Sequence, residues 1–117
     1  MAEADRGSRP RHPRHARDEN LLPPIRLSLM AAVGEAEVDF LTLRDVLDTS
    51  DSVLSKAIAH LSEAGYLKVR KGYVGNRPRT WVTATARGRR AFATHVRALE
   101  AIVRGTGLGA ASPGDRR

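Results

Sequence analysis

The chain has 117 residues, a net charge of +7 and a sequence pI near 11.0. That length suits one domain with a modest core, and the charge favours a polyanionic partner, nucleic acid or an anionic membrane surface. The absence of cysteine excludes disulfides, thiolate metal sites and thiol redox sensing.

No run approaches the roughly 20 apolar residues that span a bilayer. The arginines near the N-terminus have no apolar run behind them, so no secretory signal is expected. A cytoplasmic, nucleoid-associated location with no membrane partner follows by elimination.

Residues 1–20 carry five arginines and two prolines and almost nothing apolar to bury, so they are expected to form a disordered basic arm. Residues 105–117, rich in Gly, Ala, Ser and Pro, are expected to be a second disordered tail. The folded domain is placed at 21–104. Pro23 and Pro24 suit the start of a helix carrying Ile25, Leu27, Leu29, Met30 and Val33, stopped at Gly34. Glu37 to Phe40 alternates and reads as a very short strand. Thr42 is expected to cap a second, short helix with Leu43, Val46 and Leu47 on one face, and Asp48 and Thr49 form the turn after it.

Ser50 then caps a third helix reaching about Ala64, with Asp51 in its first turn complementing the dipole. Leu54, Ala57, Ile58 and Leu61 form its apolar stripe, and Gly65 ends it. Tyr66 to Tyr73 reads as a strand. Gly75, Asn76 and Pro78 read as a turn, and Thr80 to Thr83 as the returning strand. Thr85 caps a last helix, about Ala86 to Arg104. Two helices joined by a tight turn and followed by a basic hairpin make a mostly α, winged helix-turn-helix arrangement.

With its apolar stripe turned to the core, the third helix presents Ser52, Ser55, Lys56, Ala59 and His60, with Ser50 at its start. Small side chains let a helix enter the major groove, serine bonds several base edges, and lysine reaches guanine O6/N7 or phosphate. This helix is the candidate reader of double-stranded DNA. In the hairpin, Lys68, Arg70, Lys71, Arg77 and Arg79 lie between Tyr66 and Trp81 with no acid among them. With Asn76 at the tip they are expected to hold phosphates or enter the minor groove. Lys68 and Arg70 share a face, as do Arg77 and Arg79. Charge is split along the domain: residues 21–51 carry a net charge of −4 and residues 52–104 one of +9. Such a molecule can orient itself on a polyanion.

The last helix has more apolar surface than so small a core needs. Phe92, Val96, Leu99, Ile102 and Val103, with Leu27 and Met30 of the first helix, are the expected homodimer interface.

The segments LSKAIAHLSEAGYLKVRK (54–71), NRPRTWVTAT (76–85) and GRRAFATHVRALEAIV (88–103) resemble the small winged-helix regulators related to the multiple-antibiotic-resistance repressor (MarR-like) class. The resemblance covers about residues 22–103 and implies a homodimer on a palindromic operator, usually a repressor. The chain departs from that class at the turn, where Asp48 and Thr49 stand in place of glycine and an apolar residue. It departs again at Val53, where a polar residue is frequent.

No carboxylate pair, nucleophile–base set or phosphate-binding glycine loop stands out, so neither catalysis nor a cofactor is expected, and no metal site. The sequence identifies no small-molecule effector. The alternatives are a winged helix serving protein–protein contact, against which the basic wing speaks, and a nonspecific DNA or RNA binder using the arginine-rich arm.

Overall fold

The computed structural model describes residues 11–105 and 107. Two 3₁₀ turns, Pro13–Ala16 and Glu19–Leu21, lead into α1 (Pro24–Val33), β1 (Val38–Asp39), α2 (Phe40–Leu47), α3 (Asp51–Glu63), β2 (Leu67–Val74), β3 (Arg77–Ala84) and α4 (Ala86–Arg104). The strands form one antiparallel sheet in the order β1-β3-β2, with Val38 opposite Val82 and Leu67 opposite Ala84. The short strand and the hairpin thus belong to a single sheet.

Local chemistry explains most boundaries. The Ser50 hydroxyl accepts from the Val53 amide at 3.2 Å and the Thr85 hydroxyl from the Gly88 amide at 2.9 Å, as capping side chains do. Asp48 closes α2 with φ 52° and ψ 56°, a left-handed conformation that aspartate tolerates without glycine's help. Thr42 is not the cap of α2. The helix begins three residues earlier than that cap would allow, at Phe40, with Asp39 as its N-cap, and the Thr42 hydroxyl donates back to the Asp39 carboxylate.

Pro78 is not in the turn either. It lies inside β3 opposite Tyr73, and only Gly75 and Asn76 connect the strands. Across a two-residue turn the closing pair, Val74 and Arg77, exchanges hydrogen bonds, so the next pair does not. Proline at 78 therefore costs the ladder no donor toward β2, and β1 pairs only with Trp81 and Val82.

The core gathers Leu29, Met30 and Val33 of α1, Leu43 of α2, Leu54, Ala57, Ile58 and Leu61 of α3, and Leu67, Val82 and Ala84 of the sheet. Met30, expected at a dimer interface, is 2% exposed and belongs to this core. Leu27 and Phe92 are half-buried against it. Gly88 lets α4 seat on the junction between α3 and β2: the Thr85 amide donates to the Tyr66 carbonyl at 3.0 Å, and the Thr85 hydroxyl to the Gly65 carbonyl at 2.6 Å.

The N-terminal segment departs most from expectation. Residues 1–10 lie outside the described residues, but 11–20 are structured and run along α4 instead of forming a disordered arm. Leu21 is fully buried and anchors the segment; burying one leucine stabilises by about 2 kcal/mol. A polar clamp completes the attachment. The Asp18 amide donates to His95 Nδ1 at 2.8 Å, and the Asp18 carboxylate accepts from the Tyr66 hydroxyl and from the Asn20 amide. His95 is 1% exposed. Burial lowers its pKa and the charge of Arg17 adds to this, while Asp18 acts in the opposite sense. An Nδ1 that accepts places the proton of the neutral ring on Nε2. Burial and the neighbouring carboxylate both raise the Tyr66 phenol pKa.

Candidate nucleic-acid interface

The reading face of α3 is built from two periodicities on one helix. Leu54, Ala57, Ile58 and Leu61 are buried, which turns Ser52, Ser55, Lys56 and Ala59 outward at i, i+3, i+4 and i+7, and all four are exposed. Ser50 is exposed too, but its hydroxyl is engaged as the cap. Val53 is 44% exposed and offers only an apolar contact at the start of the helix. His60 stands in the last turn, exposed, with Nε2 at 2.9 Å from the Asn20 side-chain oxygen. It faces the N-terminal segment and is set apart from the other four.

One acid sits at the reading end of α3, and α2 neutralises it. Arg44 donates to Asp51 at 2.8 Å and lies 3.6 Å from Asp45. The Asp51 hydrogen bond and charge raise the Arg44 pKa further. Asp51 is thereby a helix-start residue held by the preceding helix, and its charge no longer opposes an approaching phosphate. Arg44 was not among the residues expected at the site.

The wing divides its cations between two faces. Cross-strand pairing puts Lys68 opposite Thr83, Arg70 opposite Trp81, Gly72 opposite Arg79 and Val74 opposite Arg77. Lys68, Arg70, Arg77 and Arg79 therefore share one face, while Lys71 and Tyr73 lie on the face that becomes core nearer Leu67. Among the described residues, Lys68, Lys71, Arg77 and Arg79 form no ion pair within 4 Å. Asn76 is exposed at the tip, beside Gly75 with φ 63°. Positive φ at the first of two turn residues is the pattern of the primed turns that match strand twist.

Arg70 behaves differently from its neighbours. It donates twice to the Glu37 carboxylate, at 2.9 and 3.0 Å, and its guanidinium lies 4.0 Å from the centre of the Trp81 ring. The Glu37 hydrogen bonds raise the Arg70 pKa, and the same bonds lower that of Glu37. Arg70 thus clips the wing to the loop before β1, and Trp81 is a half-buried platform for it. The Asp39 carboxyl titrates below its usual range, first through the Thr42 hydroxyl and to a smaller degree through the charge of Arg79.

A sequence profile of winged helix DNA-binding domains matches residues 25–103, which include the helix-turn-helix, the wing and nearly all of α1 and α4. The chain belongs to that family. Solved structures agree with it. The winged helix domain is similar to a transcriptional regulator homologue from Pyrococcus horikoshii OT3, with 26% identity over 92% of this chain and 100% of that one and a TM-score of 0.70.

It also shares its fold with Bordetella bronchiseptica BpsR, whose DNA binding is regulated by 6-hydroxynicotinic acid (18% identity, 92% and 84% of the two chains, TM-score 0.63). A third similar fold is that of Lactococcus lactis ZitR, a zinc-responsive MarR family member (16% identity, 87% and 67% of the two chains, TM-score 0.57). The MarR-like resemblance read from residues 54–71, 76–85 and 88–103 is thus matched by fold. No curated protein is significantly similar in sequence. No helix among the described residues is long and apolar enough to cross a membrane.

Proposed function

We propose that this winged helix domain is a sequence-specific regulator that binds double-stranded DNA as a homodimer on a palindromic operator and represses transcription by occupying it. One observation carries the reading. A helix face of small and cationic side chains, Ser52, Ser55, Lys56 and Ala59, is exposed and is followed by a wing whose Lys68, Lys71, Arg77 and Arg79 have no ion-pair partner among the described residues. Unpaired cations at this density repel one another, and a phosphate backbone relieves that repulsion. In the division of labour that follows, Ser55 and Lys56 read base edges in the major groove, and the wing cations hold phosphates.

The dimer is supported by the far half of α4. Val103 is 84% exposed, and Val96 and Leu99 are half-buried beside it along one groove. Ile102 is half-buried and Phe92 packs against the core, so the proposed contact centres on Val96, Leu99 and Val103. Two recognition helices related by a two-fold axis read half-sites about one helical turn apart.

Selection from random duplexes, followed by footprinting and light scattering at the binding concentration, tests this reading. The expected result is an inverted repeat protected by a dimer. A monomer giving a single short footprint contradicts it.

A further inference from the structure

Cations not used by the wing or by α3 collect on another side of the molecule. Arg87, Arg90, Thr94, Arg97 and Arg104 follow one another at steps of three, four and seven residues along α4, and all are exposed. At 100° per residue they form one stripe, with Ala101 inside it. The N-terminal segment extends the stripe sideways, because Arg17 and Arg90 line the same groove, which Ala16 and Thr94 also line.

Arg14 is exposed on the same 3₁₀ turn. The neighbouring His15 has its pKa lowered, first by desolvation and then by the charges of Arg11, Arg14, His12 and Arg17. Among the described residues, Asp18, Glu19 and Glu100 lie nearby. Asp18 is occupied by the Tyr66 hydroxyl and the Asn20 amide, Glu19 lines the groove with Arg17, and Glu100 lies at the edge of the stripe without an ion pair to it.

The middle of the stripe, Arg90, Thr94 and Arg97, is separate from both surfaces already assigned, whereas Arg104 at its end lines the groove of Val96, Leu99 and Val103. The apolar flank of Val96, Leu99 and Val103 lies roughly 160° away from the middle of the stripe around α4, so a dimer formed there leaves Arg90 and Arg97 exposed. The wing tip is separated from the start of α4 by the length of β3, about 26 Å for its eight residues.

We propose that this arginine ridge, with Arg14 and Arg17 beside it, docks the phosphate backbone of a second duplex DNA segment while α3 and the wing hold the first. The proposal rests on duplex DNA being the partner of α3 and the wing. Its geometry suits a duplex: residues seven apart on a helix are about 10.5 Å apart, close to the roughly 12 Å width of the major groove. Arg90 and Arg97 can then reach phosphates on opposite sides of that groove. Arginine's always-charged guanidinium fork suits phosphate oxygens.

The experiment is a capture assay with the full chain. One duplex is fixed to beads, protein is bound, and a second, fluorescent duplex is added after washing. Wild type retains the second duplex. The R90A/R97A variant retains about tenfold less or lower still, while its affinity for a single short duplex stays within about twofold of wild type. The R90K/R97K variant, which keeps the charge, recovers most of the capture. Alanine favours helix, so the variants keep α4.

Capture unchanged in R90A/R97A overturns the proposal, and so does a wild type that never retains a second duplex. Single-duplex affinity falling in step with capture also overturns it, because the ridge then belongs to the first interface. A wild type that binds not even the first duplex removes the functional reading on which the ridge rests, and is distinguished from the other outcomes at the first binding step.

Discussion

Replacing Gly88 by alanine tests how closely α4 seats on the junction of α3 and β2. A Cβ at position 88 would stand 2.2 Å from the carbonyl oxygen of Tyr66, 2.8 Å from its Cα and 2.9 Å from its carbonyl carbon. All three are backbone atoms, so no rotamer change relieves the overlap. Moving the closest contact from 2.2 to 3.0 Å requires α4 to retreat by about 0.8 Å. That retreat pulls on the Thr85 amide bond to the Tyr66 carbonyl at 3.0 Å and on the Thr85 hydroxyl bond to the Gly65 carbonyl at 2.6 Å.

Overpacking of this kind costs about 1–3 kcal/mol, and a weakened hydrogen bond about 1 kcal/mol. Alanine's better helix propensity returns about 0.8–1 kcal/mol. The expected net loss is about 2 kcal/mol, since the steric and hydrogen-bond losses exceed the gain in propensity. In a domain this small that lowers Tm by about 8–16 °C, and the urea midpoint falls by about 1 M. Thermal and urea unfolding followed by circular dichroism measure both. Gly75→Ala is the comparison: no atom lies within 4 Å of its Cβ, so only its φ of +63° matters. A Gly88→Ala protein as stable as wild type, or more so, refutes the close approach of α4 to Tyr66.

Other consequences follow from the site and the clamp. The folded-state pKa of His95 lies below the ordinary imidazole value of 6.5, so the unfolded chain takes up the proton first. Its contribution to stability is full above the unfolded pKa and is lost as pH falls toward the folded value, at no more than about 1.4 kcal/mol per pH unit. Melting curves between pH 7.5 and 5 should show a shallower acid loss in His95→Gln than in wild type, and equal slopes would contradict the assignment. Glu37→Gln frees Arg70, so the salt dependence of duplex binding should steepen by up to about 0.9 per added phosphate contact. Weaker binding at an unchanged slope would instead mark the Glu37–Arg70 pair as purely structural. Ser55→Ala and Lys56→Ala should change the selected DNA motif, with losses of about 1–3 kcal/mol at particular base pairs. An unaltered motif would remove α3 as the reader.

The helix boundaries at Ser50, Thr85 and Gly65 were legible because capping is local: the residue that ends or starts a helix bonds within a few positions of itself. The reading face of α3 was legible for the same reason, through the spacing of Leu54, Ile58 and Leu61. What sequence spacing could not supply was partners distant along the chain. Arg70 has no acid near it in sequence, yet Glu37 meets it across the sheet, 33 positions away.

His95 was one histidine among four until the fold placed it against Asp18, 77 positions away. Composition misled at residues 11–20, where charge and proline suggested disorder. Leu21 and the Asp18 clamp supply attachment that a tally of polar residues does not register. Arg44 and Asp51 are only seven residues apart across the helix-turn-helix, and that spacing was the one available signal for their pair.

Fluorescence anisotropy of the full chain with a random duplex, across a salt series and with duplex RNA as competitor, tests the central claim most directly. Micromolar binding that falls steeply with salt and prefers DNA is the expected result. The slope should drop by about 1 for each of Arg77→Ala and Arg79→Ala. A folded protein that fails to bind at low salt, or whose slope ignores both substitutions, would contradict a DNA-binding wing.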